Sequence, residues 1–373
     1  MKRVVLLGAT GSIGGQTLDL LREFQEEYQL VAFAFGHNIE KAQAIIDEFK
    51  PVLVASSFDE ALAPLKRVRT TNNLLSLISL GDVVINALVG SVGLKPTMEC
   101  LKQNKPLLLA NKESLVMAGP LIKDYLDKGS IIVPIDSEHS ALYDLIKTHG
   151  SKITDLYITA SGGALRDYEL AKIKDATIKE VLNHPNWQMG AKITVDSATM
   201  MNKVFEVWEA HYLFGFELGH IHAFIDRKSK VHALVKLNDG SVYAHVAKND
   251  MHLPIGYALR FPNSSSYNEC KQKFNSVEEA ISFFGLERID AKRYPLFELT
   301  LQDLKAKPYY SVVSNAANEA LVACFLQNKI SFGDISDCLF KTLDKYQNLD
   351  MPYDLEHILE INQLIQKEVL KQC

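Results

Sequence analysis

The chain has 373 residues, 47% hydrophobic and 23% charged, with 40 Lys and Arg against 45 Asp and Glu for a net charge of −5. That length exceeds one core and implies two or three domains, while the composition, with 20 Gly and 12 Pro, excludes disordered, collagen-like and low-complexity classes. The absence of a basic excess argues against a general nucleic-acid binder, and five scattered cysteines (Cys100, Cys270, Cys324, Cys338, Cys373) without a C-x-x-C pair fit reduced thiols rather than a disulfide or zinc framework.

Met1-Lys2-Arg3 leads directly into an apolar strand at 4–7, so no leader is expected, and no apolar run approaches the ~20 residues a membrane helix needs. A cytoplasmic protein with no membrane partner is the expectation. Continuous apolar runs at 4–7, 30–35, 52–55, 83–88, 107–110 and 131–135 read as strands covered on both faces. Helical stretches at 14–27, 39–49, 72–80, 94–104 and 114–128 alternate with them, the pattern of an α/β, Rossmann-like doubly wound domain over residues 1–136. Residues 137–275 mix strands at 156–160, 192–195, 231–237 and 241–245 with a long helix near 197–214. Asn238-Asp239-Gly240 marks a hairpin there, so a central α+β domain is expected. Residues 276–300 read as a connector and 301–373 as a C-terminal helical domain.

Gly8-Ala9-Thr10-Gly11-Ser12-Ile13-Gly14 joins the first strand to the first helix. Its glycines permit a tight turn and close approach of a pyrophosphate to a helix N-terminus, which suits a dinucleotide; the bland alternative is a tight turn with no ligand. The second strand ends Gly36-His37-Asn38, and the first acid beyond it is Glu40. Without a carboxylate to bond a ribose 2′-hydroxyl, the site tolerates a 2′-phosphate beside His37, Asn38 and Lys41, which favours NADP.

The sixth strand ends Asp136-Ser137-Glu138-His139-Ser140. On an extended segment Asp136 and Glu138 point to one side, and two hard oxygen donors suit Mg2+ or Mn2+. Equally, Asp136 or Ser137 caps the following helix. Further on, Asp196-Ser197-Ala198-Thr199-Met200-Met201-Asn202-Lys203 opens with a cap signal and continues as a helix to Glu206. Ser197, Asn202 and Lys203 form a candidate phosphate cradle with Glu206 left for a metal, or else a surface Lys–Glu pair beside a capping serine. Thr159-Ala160-Ser161-Gly162-Gly163 offers a small-residue turn for close approach by a ligand. His184-Pro185-Asn186-Trp187-Gln188-Met189-Gly190 is either a lid or a loop anchored by a buried Trp.

These motifs, with Ala110-Asn111-Lys112-Glu113-Ser114 and Asn315-Ala316-Ala317-Asn318-Glu319, occur in the order found in the 1-deoxy-D-xylulose 5-phosphate reductoisomerase family, which the chain resembles over essentially its whole length. The resemblance implies an NADPH-dependent enzyme that isomerises that sugar phosphate, by retro-aldol and aldol steps, and reduces it to 2-C-methyl-D-erythritol 4-phosphate for isoprenoid synthesis. It implies Asp136, Glu138 and Glu206 as ligands of Mg2+ or Mn2+, with Lys112 and Glu138 catalytic. Lys112, Ser137, Glu138, Ser161, His184, Trp187, Ser197, Asn202, Lys203 and Glu206 would meet the substrate, and the Trp187 loop would be a flap closing over it. Gly8, Thr10, Gly11, Ser12, Ile13, Gly36, His37, Asn38, Asn111, Glu113 and Gly190 would meet the nucleotide. A homodimer is implied as well.

Two departures stand out. Asp226-Arg227-Lys228-Ser229 replaces the family's His-Pro-Gln-Ser, and His37 stands where a Lys is sometimes found. Two other readings remain open: a different Rossmann oxidoreductase, which needs no three-carboxylate cluster, and an NADP-binding regulatory protein without metal-dependent turnover.

Overall fold

The computed structural model describes residues 1–268, 273–302, 304, 307–349 and 351–373; Cys270 lies outside the described residues. Contacts divide the chain into two units. The first comprises Met1–Ser114, Ile122–Ser140 and Asp250–Tyr267, and the second Leu115–Leu121, Ala141–Asn249 and Asn268–Cys373.

The first unit is a Rossmann-like, doubly wound domain. Its parallel sheet has strands β1 (Lys2–Leu7), β2 (Tyr28–Ala34), β3 (Leu53–Ala55), β4 (Arg69–Thr71), β5 (Val83–Asn86), β6 (Leu107–Leu109) and β7 (Ile132–Pro134). They lie in the order β4-β3-β2-β1-β5-β6-β7. Val4 to Leu7 and Ala32 to Ala34 are completely buried, as continuous apolar runs require when both faces of a sheet are covered. The edge strand β4 escapes the expectations because Arg69-Thr70-Thr71 is polar and largely exposed. The chain builds outward from β1 to β4 and then returns to β5 on the other side of β1. That reversal opens the crevice beyond the strand ends where α/β proteins bind ligands. Helix His252–Leu259 also belongs to this unit: Ile255, Ala258 and Leu259 share a core with Leu20 and Leu21, and the Tyr28 hydroxyl donates to Leu259 O at 2.9 Å.

The second unit holds an α+β sheet of β8 (Ile153–Ala160), β9 (Ile221–Ile225), β10 (Val231–Leu237), β11 (Val242–Val246), β12 (Lys273–Phe274) and β13 (Glu287–Arg288). The order is β12-β11-β10-β8-β9-β13, with only the β8–β9 pair parallel. The expected hairpin joins β10 to β11, with Gly240 at φ +84°. Helices Tyr310–Leu326, Phe332–Lys345 and Leu355–Gln372 form the C-terminal helical region.

Three expectations fail here. The strand expected at 192–195 is part of helix Ala191–Thr199: the i,i+4 ion pair of Lys192 with Asp196 and the burial of Thr194 and Val195 outweigh the strand propensity of Ile-Thr-Val. The long helix starts later than expected, as Met201–Phe214, because Met200 is left-handed at φ +67° and breaks the two helices apart. The stretch 276–300, expected as a connector, is structured, with helix Val277–Phe284, β13 and a 3₁₀ helix at Pro295–Leu301.

Candidate active site

Beyond β1 the chain turns through Gly8, whose φ of +90° is in the left-handed region and whose Cβ, were there one, would lie 2.4 Å from Ala87 O. Helix Ser12–Glu23 starts from Gly11, and no side chain caps its first N–H groups. Gly14 lets this helix lie on the loop, since a Cβ there would meet Gly8 O at 2.3 Å and Ala9 O at 2.6 Å. Uncapped N–H groups at the positive end of a helix dipole are what a pyrophosphate requires, so this loop fits a dinucleotide. Around it, Asn38 accepts from Lys41 N at 3.0 Å and caps helix Ile39–Phe49, while Lys41 Nζ donates to Thr10 O at 3.2 Å. The Gly36 carbonyl accepts from Ser56 Oγ at 3.2 Å, and the His37 ring lies 3.7 Å from that of Phe58. Asn111 is fully buried, and its Nδ2 donates to Leu88 O, Gly90 O and Glu113 at 2.8–3.2 Å while Oδ1 accepts from Ser114 N. It holds the loop that follows β5.

In the same unit, Asp136 follows the cap alternative and not the extended one. β7 stops at Pro134 and helix Ser137–His149 starts at once, so Asp136 caps it: Oδ1 accepts from Glu138 N at 3.1 Å, His139 N at 3.3 Å and His139 Nδ1 at 3.1 Å. Its other oxygen pairs with Lys112 Nζ at 2.5 Å, both side chains being about nine-tenths buried. Ser137 Oγ donates to Glu138 at 2.6 Å. The capping alternative therefore holds for Asp136, whose carboxylate is ordered by a helix N-terminus and an ammonium group.

In the second unit, β8 ends at Ala160 and the chain turns through Ser161-Gly162-Gly163. Gly163, at φ +70°, sits so close to helix Ala191–Thr199 that a Cβ would lie 2.7 Å from Ser197 O and Ala198 Cα. The Tyr294 hydroxyl, which burial pushes up to about 12, fixes this turn by donating to Gly162 O at 2.8 Å. His184 Nδ1 accepts the backbone N–H groups of Asn186 and Trp187 at 3.1 and 3.0 Å. That fixes the tautomer, so Nε2 carries the proton and donates to Ser161 Oγ at 2.8 Å. Ser161 Oγ also accepts from Gly163 N at 3.1 Å, which leaves its own proton to be donated, with Ser197 Oγ 3.5 Å away. Burial, aided by the nearby Arg166 charge, pushes the His184 imidazole down to about 4, which keeps it neutral at pH 7.

Along helix Met201–Phe214 the expected spacing closes: Asn202 Nδ2 donates to Glu206, and Lys203 Nζ donates to Glu206 and to Thr159 O. Lys203 is 3% exposed and Glu206 1%, so this is a buried pair and not a surface one. Asp196, expected to open the helix, lies inside Ala191–Thr199, where Lys192 Nζ reaches one carboxylate oxygen at 2.7 Å and Asn318 Nδ2 the other at 2.8 Å. Ser197 is accordingly in a last helical turn, not the first one expected for it. Gly190 starts this helix, and Trp187 is half-buried with its ring 6.4 Å from that of His232, so no buried Trp anchors the loop. Sequence reasoning missed Arg166 and Tyr294 as supports of Ser161 and Gly162; neither stands at a spacing that would have shown it.

The donor sets are hard: carboxylate oxygens whose charge lysine ammonium groups offset, a chemistry suited to Mg2+ or Mn2+.

Family models match along most of the chain: 1-deoxy-D-xylulose 5-phosphate reductoisomerase over residues 4–119, its C-terminal domain over 132–214, and the DXP reductoisomerase C-terminal domain over 246–368. The chain is 40% identical over 374 residues to the 1-deoxy-D-xylulose 5-phosphate reductoisomerase of Listeria monocytogenes serotype 4b, covering 97% of each chain. It is 41% identical over 377 residues to that of Bacillus subtilis, again with 97% coverage of both. Among solved structures it is similar to a DOX-P reductoisomerase in complex with NADPH, fosmidomycin and magnesium (TM-score 0.86, 32% identity, 100% of this chain and 97% of that one). It is also similar to the Zymomonas mobilis enzyme in complex with NADPH (TM-score 0.84, 32% identity, 100% and 98%).

Proposed function

The chain belongs to the 1-deoxy-D-xylulose 5-phosphate reductoisomerase family, and from that premise we propose which of its residues carry the reaction. The activity is the metal-dependent isomerisation of 1-deoxy-D-xylulose 5-phosphate and its NADPH-dependent reduction to 2-C-methyl-D-erythritol 4-phosphate, a step in isoprenoid precursor synthesis. When bound, the divalent ion supplies Lewis-acid polarisation of the ketose oxygens and NADPH supplies hydride.

In this reading Asp136, Glu138 and Glu206 hold the Mg2+ or Mn2+. Lys112, paired with Asp136, moves charge or a proton beside it. Ser161, Ser197, Asn202 and Lys203 grip the substrate phosphate, with His184 and Ser137 beside them and Trp187 on the covering loop. The glycine loop from Gly8 through Ile13, with Gly36, His37, Asn38, Asn111, Glu113 and Gly190, holds the nucleotide. The observation that carries the reading is the buried Asn202–Lys203–Glu206 set on a helix one left-handed residue beyond the helix of Ser197. Ser161 supports it, because a hydroxyl that already accepts two hydrogen bonds offers only its proton, which suits an acceptor-rich phosphate oxygen. Remote binding of that phosphate gives energy for closing the covering loop over the reacting carbons.

We propose that residues 1–136 serve the nucleotide, 137–275 the chemistry and the contact of a cytoplasmic homodimer, and 301–373 support. No helix among the described residues is long and apolar enough to cross a membrane. The test is NADPH oxidation with 1-deoxy-D-xylulose 5-phosphate, with and without Mg2+ or Mn2+. Glu206→Gln should lower metal-dependent turnover by at least about 100-fold while NADPH affinity is kept. Near-normal turnover would remove Glu206 from the metal set.

A further inference from the structure

Asp226, where the family usually has His, is 3% exposed, and both its oxygens are engaged by its own turn. Oδ1 accepts from Lys228 N at 2.9 Å, and Oδ2 accepts from Lys230 N at 2.8 Å and Val231 N at 2.9 Å. The turn closes further through Ser229 N onto Asp226 O at 3.0 Å, with Ser229 left-handed at φ +50°. Three backbone donors on one carboxylate make 226–231 a stiff element between β9 and β10. A neutral imidazole offers a single acceptor nitrogen and could not do this.

That turn receives two groups from the substrate side. Asn186 Nδ2 donates to Arg227 O at 2.9 Å and to Ser229 Oγ at 2.7 Å. Arg166 Nη1 donates to the same Arg227 O at 2.9 Å and to Ser161 O at 2.7 Å. Asn186 belongs to the 184–190 loop, and its own N–H lies on His184 Nδ1. One carbonyl oxygen thus joins the Trp187 loop, through Asn186, and the Ser161 turn, through Arg166.

We infer that the Asp226 turn is the fixed anchor of the Trp187 loop, with Asn186 as its latch, and that both are positioning residues which set the loop and the His184–Ser161 pair for the substrate phosphate. The inference rests on the reading of Ser161 and His184 as substrate contacts. Asp226 acts on the turn, the turn on Asn186 and Arg166, and these on the residues that meet substrate; neither Asp226 nor Asn186 touches substrate itself.

The chain has two tryptophans, and Trp208 is completely buried, so acrylamide quenching of tryptophan fluorescence reports Trp187. Asn186→Ala and Asp226→Ala should each raise this quenching in the full-length protein. Each should also raise KM for 1-deoxy-D-xylulose 5-phosphate about 3- to 10-fold, the factor to which the loss of a hydrogen bond or two converts, with NADPH affinity and thermal midpoint little changed for Asn186→Ala. Asp226→Asn, which retains one acceptor oxygen, should fall between the wild type and Asp226→Ala in both readouts. Unchanged quenching in both alanine variants overturns the anchor, and raised quenching with unchanged KM overturns the positioning role. A wild-type protein that does not turn over this substrate would instead sink the underlying reading, and quenching alone would then decide the anchor.

Discussion

The chain contains two candidate anion sites built by opposite means. In the first unit the glycine loop offers backbone: Gly8 and Gly14 have no side chains, and the helix after Gly11 presents uncapped N–H groups. In the second unit the candidate site offers side chains whose protons are assigned by their neighbours, from Asn186 and Trp187 N–H through His184 to Ser161, and from Lys203 to Glu206. A backbone site is insensitive to most substitutions and fails only where a Cβ intrudes. A side-chain site fails one residue at a time, and the buried charges within it make some of those failures costly.

The largest effect should therefore come from the second unit. Lys203→Met removes the ammonium partner of a carboxylate that is 1% exposed, and breaking a buried pair in this way costs about 3–5 kcal/mol. Urea unfolding should register that loss with an unchanged slope. Lys112→Met is the control within the comparison, because Asp136 keeps two backbone N–H groups, His139 and the helix N-terminus when its lysine is gone. A smaller loss is expected there, and equal losses for the two variants would break the distinction between an acid ordered by backbone and one ordered by side chains.

Gly14→Ala should come next. The added Cβ would lie 2.3 Å from Gly8 O, a backbone atom that cannot swing aside, so the helix must move off the loop. Overpacking of this kind costs about 1–3 kcal/mol, or about 5- to 150-fold in NADPH affinity if the strain falls on the bound geometry. Gly11→Ala meets Gly8 O at 3.3 Å, a tight contact but a full ångström looser than the one at Gly14, so its loss of stability should be smaller than that of Gly14→Ala. Equal NADPH titrations and thermal midpoints for wild type and Gly14→Ala would show that the loop does not depend on this close contact.

The same contrast explains what the sequence made legible. The glycine spacing and the apolar runs of β1, β2 and β5 are local signals, so the parallel-sheet unit and its glycine turn could be read directly. The Asn202–Lys203–Glu206 spacing was equally local, but whether it was buried was not, because burial depends on Thr159 from a strand more than 40 residues away. Ile193-Thr194-Val195 misled as a strand because its helix is held by tertiary partners, among them Asn318 through Asp196. Asp136 and Glu138 could be read at strand spacing as readily as at a cap because only Ile135 and Asp136 separate the end of β7 from helix Ser137–His149. Arg166, Tyr294, Asn186 and Asp226 matter through backbone carbonyl and N–H partners far along the chain, and such partners leave no trace in residue spacing.

The smallest effect is a pH dependence that only the side-chain site should have. His184 titrates at about 4 in the folded protein and near the ordinary 6.5 when unfolded, burial being the main cause. Between those values the unfolded chain binds a proton that the folded chain does not, so folding stability falls as pH is lowered from about 6.5 towards 4 and is fully restored above that window. His245, pushed down to about 3 by burial and by the facing His232, adds a slope of the same sign. Replacing His184 by Gln should therefore flatten the fall measured by urea unfolding between pH 6.5 and 4.5 without abolishing it. Between pH 7 and 8 His184 stays neutral, so Ser161 keeps the same hydrogen-bond donor throughout and KM for the sugar phosphate should show no inflection that His184→Gln removes. A stability slope identical in the wild type and in His184→Gln would mean that the imidazole already titrates normally in the folded state. Burial as the cause of the lowered His184 value would then fail, and with it the difference in pH response between the two sites.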